Sequence, residues 1–271
     1  MDCHAQVRSA VAGEILRHWY HLPPFPGFPP DLSQYPDMQR IARTVQTSIG
    51  AKSLMAVTGI ALLLFVLVHM LGNLQIFSEP EKINGYAHFL HSLGPGLWIA
   101  RIGLLVIFVA HVWAAVRTSR ASREARQVDY AYKKKDLATS YAARTMLMSG
   151  IIVALFLAYH LMHFTLGWVD FAGSHVGKLP LYTLQDGTEV PDVYTMVIQG
   201  FQHPLTAITY VIANLVLALH LSHGAASLFQ TLGLRNRENA ATFTKLGLAV
   251  GAIVAIGNCS MPLAILFGIV G

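Results

Sequence analysis

Four histidines lie deep inside four separate apolar stretches: His69 in FVLVHMLGN, His111 in FVAHVWAAV, His160 in FLAYHLMHF and His220 in LALHLSHGA. An imidazole in hydrocarbon is costly unless a partner satisfies it. Four of them, each late in its own run, read as two pairs of axial ligands. Low-spin haem b takes one imidazole from each side, so its ligands come from two facing helices at equal depth. Two haems stacked across a bilayer need two such pairs.

Two neighbours complicate the assignment. His163 and His223 each follow a candidate by three residues, a spacing that turns both members of a pair to a similar direction on a helix. Either member is a candidate iron ligand, and the other is free for a propionate or a quinone. His160 and His220 sit deeper in their apolar runs and are favoured. HxxH pairs also build di-iron sites, but those require carboxylates. The apolar stretches hold no Asp or Glu. That weighs against a di-iron oxidase, a metal transporter and a carboxylate proton relay through the bundle.

Composition identifies the elements that must carry these histidines. Of 271 residues, 54% are hydrophobic and 12% charged, with a mean hydropathy of +0.49. An ordinary soluble domain carries about 25% charged residues. Five stretches are nearly free of charge, at about 54–77, 97–118, 143–168, 204–232 and 243–270. Each has the roughly 20 residues that a helix needs to cross about 30 Å of hydrocarbon. The expected fold is an all-α polytopic membrane protein, five transmembrane helices bundled around two stacked haems b. It occupies residues 46–271, behind an N-terminal extension, residues 1–45.

Charge placement orients the bundle. With the N-terminus inside, sixteen of the 19 lysines and arginines fall on the inner side, and only Lys82, Arg101 and Lys178 fall outside. The positive-inside rule then predicts five crossings with the N-terminus cytoplasmic and the C-terminus outside. The basic segment 119–142 reads as a topology signal touching anionic lipid rather than as a nucleic-acid patch. Orientation converts position into depth. His69 lies 15 residues past Leu54 on an outward run, about 22 Å along it. His160 occupies a similar place on the third helix, also running outward. His111 and His220, on inward runs, fall in the inner half. The depths pair His69 with His160 and His111 with His220.

Other features limit the chemistry. Cys3 and Cys259 make no metal-binding spacing, and no CxxCH is present, so a haem here is held without thioether bonds. The first 45 residues lack the apolar core of a signal peptide and carry Pro23, Pro24, Pro26, Pro29 and Pro30. They read either as a cytoplasmic arm lying on a partner subunit or as a free tail. The fifth helix has no histidine, but Gly247, Gly251 and Gly257 suit close packing. Segment 170–203 is long for a connection and is expected to cap or bind something.

In the order and spacing of these strings, together with YAHFLHSLG, the chain resembles the membrane cytochrome b subunit of succinate:quinone oxidoreductases. The form it is similar to is the single-polypeptide, five-helix, di-haem b558 type, matched over about residues 48–271. The resemblance implies His69 and His160 as ligands of the outer haem and His111 and His220 as ligands of the inner one. It implies a membrane anchor for a flavoprotein subunit and an iron–sulfur subunit on the cytoplasmic face of the inner (plasma) membrane, within a complex that can assemble into a higher oligomer. Electrons from succinate would pass through two haems b to menaquinone or ubiquinone; fumarate reductases of similar design run the reverse reaction. The chain alone carries no flavin or dicarboxylate motif.

Two regions offer donors to a quinone. On the inside, Gln46, Ser48, Lys52 and Ser53 open the first helix, where they could equally hold haem propionates. On the outside, His88 and His91 lie above the outer haem; the resemblance leads one to expect a carboxylate at the position of His91. Arg101 is a candidate propionate partner, and snorkelling to the interface explains it as well. Two other classes remain open on these residues: the cytochrome b of a hydrogenase or formate dehydrogenase, and a haem-free transporter with structural histidines.

Overall fold

In lipid a backbone has only itself to hydrogen-bond, so long runs without charge or helix-breaking residues become helices. The computed structural model describes residues 47–124, 145–170 and 175–271. Helix α1 spans Ser48–Asn73 and closes in a 3-10 turn, Leu74–Phe77. Helix α2, Pro80–Ser92, starts on a proline, whose missing N–H costs nothing at a first turn. Helix α3 is Pro95–Glu124. Helix α4, Met146–His160, runs on into a π-helical turn, Leu161–Thr165. A two-stranded hairpin follows, β1 (Leu181–Thr183) antiparallel to β2 (Glu189–Pro191) with Tyr182 opposite Val190. Then come α5 (Val193–Gln202), α6 (Pro204–Thr231) and α7 (Ala240–Leu266).

Among the described residues, α1, α3, α4, α6 and α7 are long and apolar enough to cross a membrane. The protein is an all-α, multi-pass membrane bundle. Two boundaries differ from the sequence reading. The α3 helix does not stop at the membrane edge near residue 118 but continues through Arg120 and Arg123 to Glu124. The supposed loop 170–203 contains the hairpin and α5. The segment 78–96 is mostly α2, Pro80–Ser92.

Pairwise packing sets the architecture. Helix α1 packs along α3, α4 along α6, and α6 along α7. Of the five spanning helices α7 is the most buried and α3 the least. Contact between α6 and α7 depends on small residues: an ideal Cβ on Gly251 would stand 2.7 Å from the Ala218 carbonyl oxygen. The same seam carries a polar ladder. Asn258 donates to Asn214 (3.0 Å), and Asn214 donates to the Tyr210 carbonyl (2.9 Å). The first of these bonds joins α7 to α6, where apolar surface gives no preference for protein over lipid, and the second, within α6, fixes the Asn214 amide.

One end of the bundle is capped. Ile198 and Phe201 of α5 join Ile76, Tyr210, Met261 and Ile265 in a buried cluster. Fully buried Asn84 on α2 clamps this cap. It donates to Asp192 (3.2 Å) and accepts from the Tyr194 backbone N–H (3.0 Å), while Asp192 caps the first turn of α5 through Thr195 N–H (3.0 Å). Glu81, also on α2, accepts from the Gln185 N–H (3.1 Å). Replacing Asn84 with alanine strands the Tyr194 N–H and removes one partner of Asp192. The expected cost is about 2 kcal/mol, read as a lower melting temperature in detergent and faster proteolysis between residues 175 and 202.

Candidate functional site

The bundle brings the four deep histidines together in two levels. At the capped end His69 on α1 faces His160 on α4, with ring centres 5.9 Å apart and ring planes 83° apart. Each ring packs on a phenylalanine one turn earlier in its own helix. Phe65 stacks on His69 at 5.4 Å, and Phe156 lies 6.1 Å from His160. Eleven residues back along α1 and α4 lie Thr58 and Ser149, about 16 Å down each helix. There His111 on α3 and His220 on α6 form the second level, each against one of these hydroxyls.

The second level is built twice in the same way. The His111 Nδ1 lies 3.1 Å from the Thr58 hydroxyl, and the His220 Nδ1 lies 3.1 Å from the Ser149 hydroxyl. Each hydroxyl gives its one proton to a carbonyl in its own helix: Thr58 to Leu54 (2.7 Å) and Ser149 to Met146 (3.0 Å). That back-bonding is the ordinary fate of a hydroxyl inside a helix. A hydroxyl committed in this way offers the imidazole an acceptor lone pair, which favours the tautomer with its proton on Nδ1. That tautomer puts the lone pair on Nε2, where a metal ligand needs it.

A glycine follows each hydroxyl. An ideal Cβ on Gly59 would sit 3.3 Å from His111 Cε1, and one on Gly150 would sit 3.4 Å from His220 Cε1. Each glycine thus lets the imidazole approach the neighbouring helix closely. Aligned on these pairs, the helices repeat: TGIALLLFVLVH in α1 and SGIIVALFLAYH in α4, sharing the hydroxyl–Gly pair, the phenylalanine and the histidine. The sequence reading registered only the histidines. The signal for the rest was present as a hydroxyl–glycine dipeptide inside an apolar helix, eleven residues before each capped-end histidine.

The members of each HxxH pair are placed differently. His163 follows His160 into the π-turn. The π-turn carries it beneath the cap, where it is 3% exposed and packs on Phe164 at 4.1 Å. Gly200 of α5 closes over it, with an ideal Cβ 3.5 Å from its Cε1. His163 and His160 both reach the Tyr210 phenol, at 3.1 and 3.3 Å. On α6, the hydroxyl of Ser149 meets His220, while His223 lies one turn on, toward Arg235.

The remaining sequence candidates are not gathered with the histidines. Lys52, Ser53, His88 and His91 are exposed. Arg101 is exposed and lies over the Trp98 ring at 5.2 Å, an interfacial stacking arrangement. Gln46 and the side chain of Ser48 lie outside the described residues, as does the proline-rich extension.

The donor set fits a metal group that brings most of its own ligands. Among the described residues no three His, Cys, Asp or Glu side chains cluster around a point where a bare ion could bind. A structural ion such as zinc needs about four ligands. Pairs of imidazoles from facing helices suit instead the two open axial positions of a haem. With metal–nitrogen bonds of about 2.0 Å, two imidazoles on one metal have ring centres roughly 6 Å apart, close to the separation of His69 and His160. No family model, curated protein or solved structure matches this chain.

Proposed function

We propose that this protein is an electron-transfer membrane subunit, the di-haem cytochrome b anchor of a succinate:quinone oxidoreductase. The observation that carries the reading is the two-level arrangement of histidine pairs, about 16 Å apart along the helices. His69 and His160 would hold a haem b at the capped, outer level; His111 and His220 would hold one at the inner level. Bound there, the two haems supply one-electron steps across the membrane interior between an iron–sulfur subunit and a quinone.

The residues of the chain do the rest. Thr58 and Ser149 keep the Nδ1 protons in place and Nε2 open. Phe65 and Phe156 shield the outer pair from lipid. The cap formed by α2, the hairpin and α5 closes the outer end against water. Positive charge on the side opposite the cap would turn that basic side, with the N-terminus, toward the cytoplasm, where a flavoprotein and an iron–sulfur subunit would dock. Lys52 and Ser53, exposed at the start of α1, would be available to haem propionates or a quinone near that face.

The test is a dithionite-reduced minus air-oxidised spectrum of the membrane-extracted protein. A b-type α-band with two haems per polypeptide is expected. Absence of any such band overturns the haem reading and leaves a transporter with structural histidines. Co-purification with a flavoprotein and an iron–sulfur protein that reduce quinone from succinate is expected. Co-purification with a hydrogenase or formate dehydrogenase instead would keep the haems and overturn the assignment to succinate.

A further inference from the structure

Thr58 and Ser149 lie on different helices, are 91 residues apart in the chain, and do the same thing. Each hydroxyl lies 3.1 Å from the Nδ1 of an inner-level imidazole on a neighbouring helix, and each is followed by a glycine that lets that imidazole close in. The two outer-level rings are served differently. His160 meets the Tyr210 phenol rather than a helix-locked hydroxyl, and His69 stacks on Phe65. The hydroxyl–glycine pair therefore belongs to one level only, and it is present for both members of that level.

We propose that Thr58–Gly59 and Ser149–Gly150 are twin positioning elements that fix the tautomer of His111 and His220 and hold down the reduction potential of the inner haem alone. The inference rests on the di-haem reading above. A hydroxyl whose own proton is committed to a carbonyl is a fixed acceptor. It draws the Nδ1 proton away from the ring, and a ligating imidazole so treated becomes more basic. A more basic ligand favours the ferric over the ferrous iron, so the potential falls. Because the hydroxyls stand on α1 and α4 while the ligands stand on α3 and α6, the same bonds join each helix pair at the level of the inner haem. Each spanning pair thereby becomes one unit, in which α1 or α4 carries an outer ligand and the support for its neighbour's inner ligand.

The test is a redox titration of the holoprotein in detergent, followed at the haem α-band and by low-temperature electron paramagnetic resonance. The variants are Thr58→Val, Ser149→Ala, the double variant and Thr58→Ser. Wild-type protein must first show two b-type haems; failure at that step overturns the di-haem reading itself. With both haems present, Thr58→Val and Ser149→Ala should each favour the reduced inner haem by about tenfold, a rise of about 59 mV for a one-electron couple. The double variant should rise further, and the ferric signal of the inner haem should shift. The outer haem should keep its potential throughout, and Thr58→Ser should behave as wild type. Loss of the inner haem in Thr58→Val but not in Thr58→Ser would also support the hydroxyl's role. An unchanged or lowered inner potential would overturn the proposal, and so would an equal shift of both haems or loss of the inner haem in Thr58→Ser.

Discussion

Replacing His220 with alanine should reduce the haem content from two per polypeptide to one and leave the surviving haem spectrally intact. The reason is the separation of levels. His220 pairs with His111, and the other pair stands about 16 Å away along the helices, held by different side chains. His111→Ala should give the same product. A double His111→Ala, His220→Ala variant should lose no more haem than either single one, because both changes remove the same site. Changes at different levels should instead add: His69→Ala with His220→Ala should leave no haem at all. Within-site saturation and between-site additivity are the behaviour of coupled and uncoupled positions respectively. A pyridine haemochrome assay and a difference spectrum read both. Retention of both haems in His111→Ala or in His220→Ala would break the inner pairing.

The pairing was legible in the sequence for a physical reason. Successive spanning helices alternate in direction, so a histidine late in each apolar run alternates in depth, and His69 falls level with His160 rather than with His111. Hydropathy also located the five spanning helices, because charge is excluded from hydrocarbon whatever the packing. It could not locate where helices end outside the lipid. Helix α3 continues past Arg117 to Glu124 because Arg and Ala are good helix formers in water, and a basic run marks the membrane edge and not the helix terminus. The short helix within the cap was hidden for a different reason. The sequence VYTMVIQGFQ of α5 is only ten residues long and lies between Pro191 and Pro204, so turn signals dominate its surroundings. Its helical state depends on Asp192 at the cap and on burial of Ile198 and Phe201, and burial is a tertiary fact.

The supporting residues were harder still to see. Thr58 and Ser149 are unremarkable in a membrane helix, where a hydroxyl back-bonds to its own carbonyls at little cost. Their meaning comes from the imidazole on the next helix, and no pattern within one helix reports that. Only the equal eleven-residue interval to His69 and to His160 carried a trace of it. Conversely, the polar residues that drew notice by type, Arg101, His88 and His91, are exposed at the outer interface. Polar character inside an apolar run proved more informative than polar character beside one.

The choice between His160 and His163 yields the other large effect. His160→Ala should remove one haem, whereas His163→Ala should retain both and weaken the cap. Both rings reach the Tyr210 phenol, so hydrogen bonding alone does not separate them. Orientation does. The ring of His160 stands opposite His69 at 5.9 Å. The π-turn adds a residue to the helical repeat just where His163 falls, and such insertions re-aim side chains. It turns His163 under α5, against Phe164 and Gly200, with the carboxylate of Asp170 in electrostatic range. An imidazole with protein on all sides, 3% exposed, has no face left for a macrocycle. Its removal takes a hydrogen bond from Tyr210 and leaves a cavity beneath the cap. The expected loss is about 2 kcal/mol, seen as a lower melting temperature with an unchanged haem stoichiometry. Tyr210→Phe should lower stability in the same way and also keep both haems, because the phenol supports the two imidazoles without ligating metal. Loss of haem in His163→Ala with retention in His160→Ala would reverse the assignment. It would also require the π-turn to unwind into a regular helix, the one local change that could bring His163 round to face His69.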